Sequence, residues 1–220
     1  MTRKNLGTIV LALFVLLVLP LASATAAEEN PKAKEAFDRA MTAIDDQKFD
    51  DALTALDDAI EADPQWSDAY YERAWVYNET GESEKAVADL NHALEIDPKW
   101  GKAYAERGWA YNELGKFQLA LTDLNKALEL EPKSASHLRE RCWTFVHLDQ
   151  ANSAITDCTE ALTIEPKNAD ALQTRGDAYF ALKSWDSAIA DYKAALAIRP
   201  DDESIKKSLD SAQAAKGGAN

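Results

Sequence analysis

The chain has 220 residues, of which 38 are acidic and 24 are lysine or arginine, giving a formal charge of −14. That sign excludes nucleic acid as a partner, because phosphate neutralisation needs basic surface; it favours basic or neutral partners, unless the charge only keeps the chain soluble. No phosphate-binding loop, Ser-His-Asp grouping or paired-carboxylate signature occurs, and the three histidines are not spaced with the two cysteines as zinc ligands, so no enzyme, metal site or cofactor is expected.

At the start of the chain, Arg3 and Lys4 precede an uncharged run from Leu6 to Leu21, then Ala22-Ser23-Ala24-Thr25-Ala26-Ala27. A basic start, a short apolar stretch and small residues at A-x-A spacing describe a secretory signal peptide over 1–26, cut after Ala26 or alternatively after Ala24. The apolar run is shorter than the roughly 20 residues of a spanning helix, so no stable membrane insertion is expected once the leader is removed. Losing Arg3 and Lys4 leaves 22 basic against 38 acidic residues, or −16. The expected location is exported and periplasmic, with a secreted protein or an uncleaved anchor as alternatives. Residues 27–32 read as a short linker.

Pro64, Pro98, Pro132, Pro166 and Pro200 then follow at a constant interval of 34. Self-similarity at such a period marks a stack of supersecondary units, none of which buries its apolar face alone. The units are 33–66, 67–100, 101–134, 135–168 and 169–202. Within one of them, apolar and small residues recur at helical spacing on both sides of a break near Gly81, so each is a helix, a turn and a second helix. Asp97 and Pro98 stop the second helix, since proline lacks an N–H and pushes its predecessor out of the helical region. Ser67 and Ser134 are expected caps of the helices that follow. Alanines at 52, 86, 120, 154 and 188 and at 59, 93, 127, 161 and 195 mark close helix approach. Tyr77, Tyr111, Phe145 and Tyr179, with Leu56, Leu90, Leu124 and Tyr192, complete the expected core. Beyond Pro200, Ile205, Leu209 and Ala212 form one helical stripe. Residues 203–216 therefore read as a capping helix, and 217–220 as a tail.

The pattern, clearest in YNELGKFQLALTDLNKALELEP from Tyr111 to Pro132, resembles that of the tetratricopeptide repeat family over about 33–202. The resemblance implies an all-α, right-handed superhelical solenoid of five helix-turn-helix repeats with a C-terminal capping helix. It implies also that the first helix of every unit lines a concave groove that binds peptides or proteins.

Cys142 and Cys158 both depart from the repeat, the first replacing a small residue and the second a bulky one, and each lies eight residues from a turn near Gln150. They should face each other across the hairpin, and an oxidising compartment favours a disulfide over two packed thiols. Arg73, Arg107, Arg141 and Arg175 recur with Asp89, Asp123, Asp157 and Asp191 at matching heights, which reads as a ladder of structural ion pairs. Ala55 takes the aspartate place in the first unit, so Arg39 lacks that partner.

Trp75, Trp109 and Trp143 form a row at the repeat period, with Met41 and Asp177 at its ends. The core places are already filled, so the row points to a partner-binding groove, although packing between repeats is the alternative. Phe37, Tyr71, Asn78, Asn112, Arg139, His147 and Phe180 are expected beside it, flanked by Glu72, Glu79, Glu106, Glu113 and Glu140. Trp66 and Trp100 are expected to pack at the turns between units. The family's best-known ligand grip, a clamp of cations and amides on a terminal carboxylate, is not expected, because Tyr71, Ala105 and Glu106 stand where it would need such groups. The expected function is a non-enzymatic interaction scaffold of the cell envelope whose partner carries basic segments. The alternative is a glycan binder stacking sugars on the tryptophans.

Overall fold

The turn inside each repeat is set by one backbone angle. The fifteenth residue of every unit has positive φ: Gln47 (57°), Gly81 (78°), Gly115 (67°), Asp149 (57°) and Lys183 (58°). Glycine adopts this left-handed state freely, while other residues meet a steric penalty that the surrounding hairpin must outweigh. The computed structural model describes residues 30–218, and these contain eleven α-helices and no strand. The expected leader over 1–26 lies outside the described residues.

Ten helices pair into five hairpins: α1 (Pro31–Asp45) with α2 (Phe49–Ala62), α3 (Ser67–Glu79) with α4 (Ser83–Ile96), α5 (Gly101–Glu113) with α6 (Phe117–Leu130), α7 (Ala135–His147) with α8 (Ala151–Ile164), and α9 (Ala169–Ala181) with α10 (Trp185–Ile198). A last helix, α11 (Glu203–Gly218), follows. Helices α3, α5, α7 and α9 touch in succession, and among the described residues the second helices make no comparable contact with one another. The stack therefore curves with its first helices inside. Among the described residues, no helix is long and apolar enough to cross a membrane.

Each hairpin closes on a pair of side chains 16 residues apart whose sizes compensate. Ala40 and Leu56 share one buried cluster, and Ala74 and Leu90 another. A Cβ on Gly108 would come within 2.9 Å of Leu124, and one on Gly176 within 2.6 Å of the Tyr192 ring. The largest side chain thus requires the smallest residue, as close packing demands. In the fourth hairpin the same place holds the disulfide Cys142–Cys158, both halves fully buried, with 5.5 Å between the Cα atoms.

The last residue of each unit stacks or caps. Trp66 and Trp100 stand at the N-cap places of α3 and α5 and make no side-chain cap; they stack on Phe37 and Tyr71 at 4.6 and 4.7 Å between ring centroids. Ser134 and Asn168 instead accept from the N–H groups of His137 and Ala171, and Asp202 accepts from Ser204 and Ile205. Such a bond satisfies one of the open donors of a helix start. Ser67, expected as a cap, is the first helical residue of α3, because Trp66 occupies the cap place. Helix α1 begins at Pro31, inside the expected linker, because Asn30 caps it and Pro31 suits a first turn. At the other end α11 runs on to Gly218; it buries Ile205 and Ala212 completely, with Leu209 packed beside them, and its Lys216 pairs with Asp186.

Candidate partner-binding groove

The expected ion-pair ladder is present in four units and does more than the sequence suggests. In each, the guanidinium gives Nε and Nη2 to both carboxylate oxygens of its own hairpin: Arg73 to Asp89, Arg107 to Asp123, Arg141 to Asp157 and Arg175 to Asp191, at 2.6–3.0 Å. Its Nη1 reaches back to the preceding hairpin, to Asp57, Asn91, Asn125 and Thr159 respectively. Each arginine therefore ties two units together. The planar fork of the side chain permits this, and a lysine could not do it. Arg39, lacking the repeat's aspartate, pairs at the surface with Asp58 at 2.9 Å.

On the concave side, Trp75, Trp109 and Trp143 are all half-buried. Trp75 meets the edge of Phe49 at 6.2 Å. Trp143 is stacked on His147 at 3.6 Å and meets the edge of Phe117. Two neighbouring cavities open here. One, about 500 Å³, is lined by Tyr71, Trp75, Glu79, Lys102, Ala105, Glu106, Trp109, Glu131, Ser134, Ser136, His137, Arg139 and Glu140. The other, about 330 Å³, is lined by Trp109, Asn112, Glu113, Arg139, Glu140, Trp143, Asp170, Gln173, Thr174 and Asp177. Trp109, Arg139 and Glu140 belong to both.

The other expected groove residues divide. Phe37 and Tyr71 are held under Trp66 and Trp100, and of these two only Tyr71 reaches a central cavity. Met41 and Phe180 line neither cavity, Phe180 lying edge-on to Trp185 at 5.0 Å. Asn78 is buried and donates to Glu106 at 2.7 Å, while Asn112 is buried against Thr144 at 2.9 Å; both join successive first helices rather than stand free. His147 bonds the Trp143 carbonyl through Nδ1 and fixes the ring it stacks on. Arg139 donates to Glu140 at 2.7 Å.

Beside the tryptophans runs a carboxylate row at the same period. Burial raises Glu72, Glu106 and Glu140 above the usual glutamate range; Asp68 and Glu106 add to it at Glu72, Asn78 opposes it at Glu106, and Arg139 opposes it at Glu140. Asp177, also raised by burial, accepts a 2.7 Å bond from the Tyr192 hydroxyl, which crosses from the second helix. Burial of unmatched negative charge disfavours the ionised form, so a cation brought into this groove finds groups short of solvation.

Sequence reasoning missed His137, which is 6% exposed and lines the larger cavity. Its signal was available: His137 stands where Ala69, Ala103 and Ala171 stand in other units.

Residues 37–99 and 101–134 match the family described as tetratricopeptide repeat, and residues 176–209 match one described as TPR repeat. Among curated proteins none matches the chain. Solved structures similar in fold include MamA protein, 22% identical over 77% of this chain and 92% of its own, with a TM-score of 0.67. Another is TTC0263, a thermophilic TPR protein of Thermus thermophilus, 21% identical over 82% and 98%, with a TM-score of 0.65. A third is YrrB, described as a TPR protein with an unusual peptide-binding site, 22% identical over 82% and 92%, with a TM-score of 0.68.

Proposed function

The chain belongs to the tetratricopeptide repeat family, and from that premise we propose that it is a non-enzymatic scaffold of the cell envelope whose concave groove holds a segment of a protein partner. The carrying observation is the place of Trp109, a half-buried ring on the shared wall of two cavities. Rings so placed give large contact area for little side-chain entropy, and such residues dominate binding energy. Of the solved relatives, YrrB is described as having a peptide-binding site, in keeping with this use of the fold. The carboxylates around the ring select for basic partner segments, through complementarity and through relief of their own poor solvation.

Replacing Trp109 with Ala tests the reading directly. Partner binding should weaken by about 2 kcal/mol or more, as for a hot spot, while helicity and melting change little. A variant that loses several kcal/mol of stability and yet binds normally when folded would show that the ring is packing material. Quenching of tryptophan emission by glycan fragments, with no protein retained from envelope extract, would transfer the groove to sugars.

The envelope location rests on the A-x-A pattern before Ala27. Intact mass of protein from the exported fraction should lack 1–26, or 1–24 for the alternative cut; recovery there of chains that retain Met1 to Leu21 would refute it.

A further inference from the structure

The tryptophan row ends in a carboxylate. The ninth place of successive units holds Met41, Trp75, Trp109, Trp143 and then Asp177. Asp177 departs from the repeat together with Tyr192, which replaces the leucine of Leu56, Leu90 and Leu124 and donates its hydroxyl to Asp177 Oδ1 at 2.7 Å. The carboxylate is thereby held in place, and no hydrogen bond among the described residues engages its Oδ2. The tryptophan across from it is also exceptional. Phe49 and Phe117 meet the edges of Trp75 and Trp143, each from 26 residues earlier, but the residue 26 before Trp109 is Ser83. Trp109 accordingly meets no other ring among the described residues. Trp109, Trp143 and Asp177 share the cavity of about 330 Å³, whose charges are Glu113, Glu140, Asp170 and Asp177 against Arg139 alone. Arg139 is already committed to Glu140, and Arg199 takes one oxygen of Asp170. Glu113 makes no hydrogen bond or ion pair among the described residues. The space is bounded by two indoles and is short of positive charge.

We propose that this cavity is the subsite for an arginine side chain of the partner protein, whose guanidinium lies against the tryptophan walls and bonds Asp177 and Glu113. The proposal rests on the groove reading above and names the side chain that the groove selects. A cation over an indole face is attracted by the ring's quadrupole, most of all where water is scarce. Arginine suits such a place better than lysine, because the guanidinium is flat enough to stack, is less strongly hydrated and offers a fork of N–H groups to carboxylates. A neutral ring in the same space would take water from four carboxylates and return no hydrogen bond, at a cost. The larger cavity is the weaker candidate, since its carboxylates already face both Lys102 and Arg139. Burial raises Asp177 above the ordinary aspartate range, with the Tyr192 bond and His147 opposing it. A guanidinium brought beside it supplies the counter-charge that burial withholds.

The test uses acetylated, amidated peptides of the form Lys-Lys-Arg-Lys-Lys, with lysine, citrulline or alanine replacing the arginine, titrated calorimetrically into the full chain. Lysine keeps the charge and loses the plane; citrulline keeps the plane and loses the charge. The arginine peptide should bind about tenfold more tightly than the citrulline and alanine peptides, and more tightly than the lysine peptide. Asp177→Asn keeps an acceptor for the Tyr192 hydroxyl and removes the charge, so it should bring the arginine peptide down to the level of the lysine peptide with helicity and melting retained. Glu79→Gln removes a charge that lines only the larger cavity and should weaken all four peptides alike, leaving arginine's advantage in place. Equal binding of the arginine peptide and either the lysine or the citrulline peptide, an advantage that survives Asp177→Asn, or no measurable binding to the native chain would each overturn the proposal. Peptides that bind without preference for arginine and are lost in Trp109→Ala would leave the groove reading standing and sink only the subsite. Binding that is indifferent to Trp109→Ala and to Asp177→Asn would sink both.

Discussion

At the scale of single residues, the groove trades stability for charge. Glu106 accepts from Asn78 and is raised above the glutamate range by burial, with Glu140 and Glu79 adding to the shift. A carboxyl whose folded pKa lies above its unfolded value binds more protons when native, so between those two values stability falls as pH rises. At neutral pH the ionised group is a standing penalty. Glu106→Gln keeps the acceptor for Asn78 and removes the charge. It should melt at a higher temperature than the native chain at pH 7, by a margin that shrinks as pH falls and is gone only well below the ordinary glutamate pKa, where the carboxyl is protonated in both states. The same variant should bind a basic partner more weakly, as expected when a functional group is retained at a cost in stability. Equal melting at pH 7 would mean that the carboxylate is solvated well enough to carry no penalty.

At the scale of one hairpin, the disulfide stands where other units keep a small residue against a bulky one. Cys142 and Cys158 are both fully buried and 16 residues apart. In the chain-entropy model a loop of that size is worth about 3 kcal/mol. In a solenoid, stability is nearly a sum of unit and neighbour terms, so reduction should loosen α7 and α8 before anything else. Amide exchange should quicken there first, then in the neighbouring α5, α6, α9 and α10, with the more distant α3 and α4 responding less. Two alkylatable thiols in native protein never exposed to reductant would rule the bond out. Breaking an Arg fork acts differently, since each guanidinium also holds the preceding unit and its loss leaves a buried aspartate unpaired.

For the whole molecule, the weak point is the end of the stack. Helix α11 packs against α10 and α9 as the next first helix would, covering Tyr192 and Ala195 with Ile205 and Ala212. Fully burying a side chain such as Ile205 is worth about 2 kcal/mol. A chain ending at Asp202 should lose soluble yield and show faster exchange in α9 and α10, while α3 to α6 keep their protection, because each unit contacts only its neighbours. Simultaneous loss of protection along the full length would show instead that the solenoid folds as one cooperative block.

The sequence by itself determined the period, the five hairpins and the capping stripe, and it set Cys142 opposite Cys158 and four arginines at the height of their aspartates. These were legible because every unit repeats the same local contacts, most of them 16 residues apart, so a departure in one unit shows against the others. It could not reveal Nη1 of each arginine reaching the preceding unit, nor Asn78 and Asn112 turning inward, nor Tyr192 reaching Asp177, because those contacts run between helices whose spacing is set by packing. Nor could it show that Ala105 and Ser134 open a cleft. Two small residues, read singly, are unremarked substitutions, and only the stacking of third unit on fourth decides whether the space left beside them closes or stays open.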